Sequence, residues 1–191
     1  VILYAPTGQR FNSMETMGED VLRRLSSAGG FQTILKPHDH AKEGSIDWAS
    51  YVRGLNLPGV SVIDANVDVI PLLFLADLLI TDASSVSSEY SILDRPMVFL
   101  DVPELLQKAD KKDGAMDLAT WGRRGGVLVE SPESVVDVVR SSLAEPDRHS
   151  EIRRSMAKDL FFNLGHATEH GLDWILQRFR STLDSQNLRP A

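Results

Sequence analysis

Apolar residues in this chain come in short unbroken runs, and most runs are followed by a stretch with helical spacing. Residues 1–5 are apolar and stop at Pro6, Thr7 and Gly8, which predicts a buried strand and a loop. Residues 14–28 carry Met17, Val21, Leu22 and Leu25 at helical spacing, and Gly29-Gly30 ends the helix. Residues 31–36 read as a strand closed by Pro37, and residues 60–63 as another. Between them, residues 39–58 are polar around Trp48 and Tyr51, with room for a helical turn or two at most. A short apolar helix is expected over 69–75, and buried strands over 78–81 and 97–100 with a Ser-rich helix between them. A charged segment covers 103–116, and the last strand covers 127–129 after Gly125-Gly126. Amphipathic stretches follow over 132–143 and 147–160, then a closing helix over 168–183 and a frayed tail from 184 to 191.

The strands do not alternate polar with apolar, so both of their faces must be covered. That is the signature of a parallel sheet between two helical layers. The predicted fold is a Rossmann-like α/β/α domain over residues 1–183 with about six parallel strands. Ligands in such folds bind outside the carboxyl ends of the strands. The polar clusters of this chain follow strands: Thr7-Gly8 after the first, His38 after the second, and the stretch from Thr81 to Ser85 after a later one.

The 191 residues carry a formal charge of −7, which argues against a broad nucleic-acid surface, and contain no cysteine, so neither disulfides nor thiolate metal sites arise. No apolar run reaches the ~18 residues of a membrane span. The chain starts directly in a strand, with no signal-peptide pattern and no Met, as expected of a domain from a longer protein.

Four clusters could carry chemistry. In the first, Thr81, Asp82, Ser84 and Ser85 stand where a strand runs into a helix, and Glu89 follows one turn after Ser85. Hydroxyls and free N–H groups there suit phosphate oxygens, and a carboxylate suits a ribose diol. Helix capping explains one such residue, but not four together. In the second, Lys36-Pro37-His38-Asp39-His40 puts an imidazole directly at a strand end, able to donate to phosphate or act as an acid. His40 reads as solvated or as a cap, and the sequence supplies no strong further ligands for a metal reading. Third, His166-Ala167-Thr168-Glu169-His170 matches an inverted zinc-peptidase pattern. No Glu follows it, however, and capping accounts for Thr168 and Glu169. Last, the loop Trp121-Gly122-Arg123-Arg124-Gly125-Gly126 reads equally as an Arg loop for phosphates or as an exposed turn. Trp48 and Trp174 read as packing residues.

At these residues the chain resembles the C-terminal half of the CDP-glycerol glycerophosphotransferases, the teichoic-acid polymerase and primase type with the two-domain GT-B fold. The resemblance runs from residue 1 to about residue 179. It rests on residues 1–8, on Lys36-Pro37-His38, and on 76–89 followed by Leu93-Asp94-Arg95-Pro96. The same layout is similar to that of UDP-N-acetylglucosamine 2-epimerases. The resemblance implies a nucleotide-activated donor, with His38 as the catalytic residue at the pyrophosphate, Thr81, Ser84 and Ser85 around its oxygens, and Asp82 among the substrate-binding residues. It further implies Glu89 on the ribose, and Thr7 and Gly8 along the cleft. It implies no cofactor or metal. Its partners would be an N-terminal half of the same protein, which supplies the catalytic base, and a polyisoprenoid-linked acceptor at the inner face of the cell membrane. Gly165-His166-Ala167-Thr168 is similar to the family's lead into its final helix. The chain departs from the family at Ala83, Leu164 and His170 and over 101–126. CDP-glycerol or a UDP-sugar as donor, and a domain that only mediates interactions, therefore stay open.

Overall fold

The computed structural model describes residues 1–38, 46–112 and 122–187. The apolar runs become β1 (Ile2–Tyr4), β2 (Thr33–Leu35), β3 (Val60–Val62), β4 (Leu78–Thr81), β5 (Met97–Leu100) and β6 (Val127–Val129). All six lie parallel in one sheet, ordered β3-β2-β1-β4-β5-β6. Leu3 stands opposite Ile34 on one side and Leu79 on the other.

Successive side chains of a strand point to opposite faces, so an all-apolar strand feeds two cores. Ile2, Tyr4, Leu78, Ile80, Val98 and Leu100 pack on one face with Val21, Leu22 and Leu25 of α1 (Glu19–Ala28), Val52 of α2 (Trp48–Gly54) and Val135 and Val139 of α6 (Val135–Ala144). Leu3, Leu79, Met97 and Phe99 pack on the other face with Leu73 of α3 (Ile70–Leu75) and Val86 and Tyr90 of α4 (Val86–Ser91). The expected three layers and parallel sheet are therefore present. The helix expected over 14–28 is also there, but its first turn, Met14–Gly18, is wound as a π-helix. Helix α5 (Pro103–Lys112) fills the charged segment as far as 112, and residues 113–116 of that expectation lie outside the described residues.

The chain divides into two compact units, Val1–Ala157 and Lys158–Ala191. The first holds the whole sheet. Its turn before β5 is fixed by two arginines. Arg95 donates to the carbonyls of Phe74 (2.7 Å) and Ala76 (2.6 Å), at the end of α3. Arg153, on α7 (Ser150–Leu160), is buried and donates to the Asp94 carboxylate at 3.0 Å and to the Asp94 and Pro146 carbonyls at 3.1 and 2.7 Å. Asp94 itself takes a left-handed backbone, φ 50°. The second unit is mainly α8 (Ala167–Asn187), which runs to Asn187, beyond the end expected at 183 and into the segment expected to be a frayed tail. Residues 188–191 lie outside the described residues. No helix among the described residues is long and apolar enough to cross a membrane.

Candidate functional site

In this strand order the chain reverses direction across the sheet between β1 and β4, so the loops after these two strands part and leave a crevice. The loop after β1 is held open by one carboxylate. Asp82, fully buried, takes four hydrogen bonds: from the N–H of Thr7 (2.9 Å) and Ala83 (2.8 Å) at Oδ1, and from the N–H and Oγ of Ser13 (2.9 and 2.8 Å) at Oδ2. The Tyr4 hydroxyl donates to Ser13 Oγ at 2.9 Å, and burial pushes that phenol far above its ordinary pKa, so it remains a donor. The Thr81 hydroxyl donates to the Ala5 carbonyl at 2.7 Å. Both Thr81 and Asp82 are wholly buried and do not reach the crevice. They act as braces where the sequence suggested ligand contacts, because the β1 loop has N–H groups and a carbonyl that need partners inside the fold.

What reaches the crevice comes from four strand ends, with Ala5 and Pro6 after β1 among its lining. A cleft of about 350 Å³ is walled by Lys36, Pro37 and His38 after β2, by residues 66–69 after β3, and by Ser84, Ser85 and Glu89 at the start of α4. Of the residues singled out in the sequence, His38, Ser84, Ser85 and Glu89 line this one cleft. Lys36 was not singled out as a site residue. This lysine is only 7 % exposed and donates from Nζ to the carbonyls of Ala65 (2.7 Å) and Pro37 (3.0 Å), bringing a cation into the cleft wall. The signal was a lysine directly before the Pro-His at a strand's carboxyl end. Ser85 makes no side-chain cap bond to α4, and Ser84 Oγ takes only a long 3.5 Å bond from the Val86 N–H.

Thr7 and Gly8 do not wall this cleft. They line a second cavity of about 180 Å³, with Arg10, Trp48 and again His38. Gly8 packs directly against the imidazole: a Cβ built there would stand 2.7 Å from His38 Nδ1 and 2.8 Å from Cγ, closer than atoms approach. Gly8→Ala is therefore expected to swing the His38 ring. Imidazole resonances assigned in a nitrogen–proton correlation spectrum would shift with little change in melting; unshifted His38 resonances would refute the packing role.

Asp39, His40 and Trp121 lie outside the described residues. Arg123 donates to the Asp101 carboxylate at 2.6 Å, after β5. His166 Nδ1 lies 3.1 Å from Glu169 Oε2. Among the described residues no three His, Asp or Glu side chains group as a metal site.

Comparison with known proteins agrees with this architecture. The family model described as CDP-glycerol:poly(glycerophosphate) glycerophosphotransferase matches residues 1–170. Among solved structures, the chain is similar to the wall teichoic acid polymerase TagF, at 22 % identity and TM-score 0.58, over 95 % of this chain and 44 % of that one. A TagF variant soaked with CDPG for 15 minutes matches at 22 % identity and TM-score 0.60, over 95 % of this chain and 42 % of that one. At such identity the likeness is one of fold, and the chain spans less than half the length of TagF. No curated protein matches the chain.

Proposed function

Because the chain belongs to the CDP-glycerol:poly(glycerophosphate) glycerophosphotransferase family, we propose that it is the donor-binding half of a GT-B transferase that moves glycerol phosphate from CDP-glycerol to a polyisoprenoid-linked or polymeric acceptor. The observation that carries this reading is the convergence of His38, Ser84, Ser85 and Glu89 on one cleft at the sheet's switch point. The Glu89 carboxylate accepts from the ribose diol, and the two hydroxyls and the imidazole N–H donate to the diphosphate. In the transfer, an acceptor hydroxyl attacks the distal phosphorus, the bond from that phosphorus to the bridging oxygen breaks, and CMP leaves. Negative charge grows on the leaving oxygen, and fixed donors placed there lower the barrier. The attacking hydroxyl loses its proton to a base on the other half of the protein. The acceptor places the work at the inner face of the cell membrane, with this domain held there peripherally.

Calorimetry on the 191-residue chain tests this reading. It should bind CDP-glycerol saturably and turn over none of it, since the base and the acceptor groove belong to the other half. Saturable binding of UDP-sugars alone would favour an epimerase or sugar transferase. The absence of any nucleotide binding would favour a domain that only mediates interactions. Transfer by this chain alone would refute the division of labour.

A further inference from the structure

The cleft and the second cavity lie on opposite sides of one ridge. The cleft is backed by Val69 and Val86, on the α3 and α4 side of the sheet, and the cavity by Met14 and Trp48, on the α1 and α2 side. Pro6, Pro37 and His38 border both. We propose that the second cavity receives the transferred end of the donor, a small uncharged polyol esterified to the distal phosphate. This rests on the donor reading above and adds where the non-nucleotide end goes.

Covalent continuity is the first reason. A diphosphate held between Ser84, Ser85 and His38 has its distal ester at the ridge, and the space beyond His38 is this cavity. A tethered group enters it at high effective concentration without a separate binding step.

The lining is the second reason. Pro37, Met14 and the half-buried face of Trp48 offer apolar surface to the C–H face of a polyol. Thr7 is nine-tenths buried, its N–H is spent on Asp82, and its hydroxyl has no protein partner among the described residues. A hydroxyl placed so is a donor and acceptor for another hydroxyl.

Charge is the third reason. Among the described residues, the cavity's ionic groups are Arg10, Glu15, Asp47 and His38. Glu15 accepts from the Phe11 N–H at 2.5 Å, and Asp47 caps α2 by accepting from the N–H and Oγ of Ser50 at 3.0 and 2.6 Å. Those Ser50 bonds hold Asp47 below the usual carboxylate range, so it stays ionised. Two carboxylates against one guanidinium make a poor seat for a polyanionic acceptor and an acceptable one for a neutral polyol.

The test is a pair of titrations, with CDP and with CDP-glycerol, on the wild-type chain and on Thr7→Val and Trp48→Ala. Each variant should weaken CDP-glycerol about three- to tenfold while CDP stays within about twofold. Thr7→Val is nearly isosteric and breaks no bond within the protein, so it decides the matter if Trp48→Ala fails to fold. Equal losses for both ligands would place the nucleotide in the cavity and overturn the proposal. Unchanged affinity for both ligands would leave the cavity outside the donor site, or assign it to the acceptor, and also overturn it. A wild-type chain that binds neither ligand would overturn the donor reading itself.

Discussion

Asp82→Asn should lower the folding stability by about 2–4 kcal/mol, because an amide in place of the carboxylate turns an NH₂ toward donors already buried around it. Four donors converge on this one group: the N–H of Thr7, Ala83 and Ser13, and the Ser13 hydroxyl. The amide can still accept at one oxygen, leaving one pair of donors facing another donor. Waters cannot easily make up the loss, since Asp82 and Ser13 are both fully buried. The variant should also lose donor affinity, because Thr7 and Gly8 take their positions from this carboxylate. Tyr4→Phe is the comparison. It removes only the outermost donor of the chain, Tyr4 to Ser13, and should cost about 1 kcal/mol. Urea unfolding of the three proteins, with CDP-glycerol titrations alongside, measures both effects. If Asp82→Asn were no more destabilised than Tyr4→Phe, the carboxylate would not be the brace of the β1 loop.

The sheet was legible because both faces of every central strand are buried. Ile2-Leu3-Tyr4 and Leu78-Leu79-Ile80 have no polar residue to spare, and only a covered, parallel sheet accommodates such strands. Helix limits were less legible. The π-turn at Met14–Gly18 leaves no mark in the hydrophobic spacing, and the continuation of α8 to Asn187 crosses a polar stretch that reads equally well as a tail.

At the site, sequence could say which residues gather at the strand ends but not which way each side chain turns. Thr81, Asp82, Ser84 and Ser85 look alike as a polar turn. The fold spends the first two on Ala5 and on the β1 loop and leaves the last two at the cleft. The difference lies in where unpaired backbone groups of a segment about 75 residues distant in sequence happen to need acceptors, which no local pattern records. Trp48 shows the same limit. It packs beside the core as expected of it, and the face it keeps open lines a cavity that only the assembled fold creates.

The sharpest separation of ligand binding from helix capping comes from Ser84, Ser85 and Glu89. If they hold a nucleotide, Ser84→Ala and Ser85→Ala should each weaken CDP by about 0.5–1.5 kcal/mol, the worth of one hydroxyl bond. Glu89→Gln should cost more, about 1.5–3 kcal/mol, because the ribose diol then loses a charged acceptor. Inorganic pyrophosphate has no ribose, so its affinity should fall with the two serine variants and stay unchanged with Glu89→Gln. Stability should hardly move: Ser85 caps nothing through its side chain, and the bond at Ser84 Oγ is at the limit of length. Were these residues caps alone, the pattern would reverse, with stability falling by about 1 kcal/mol per serine and every affinity intact. Melting curves and titrations with CDP and pyrophosphate on the same three proteins distinguish the two. A loss of pyrophosphate affinity in Glu89→Gln equal to its loss of CDP affinity would move the carboxylate off the ribose. It would then have to act on the phosphates through the positions of Ser85 and His38 across the cleft.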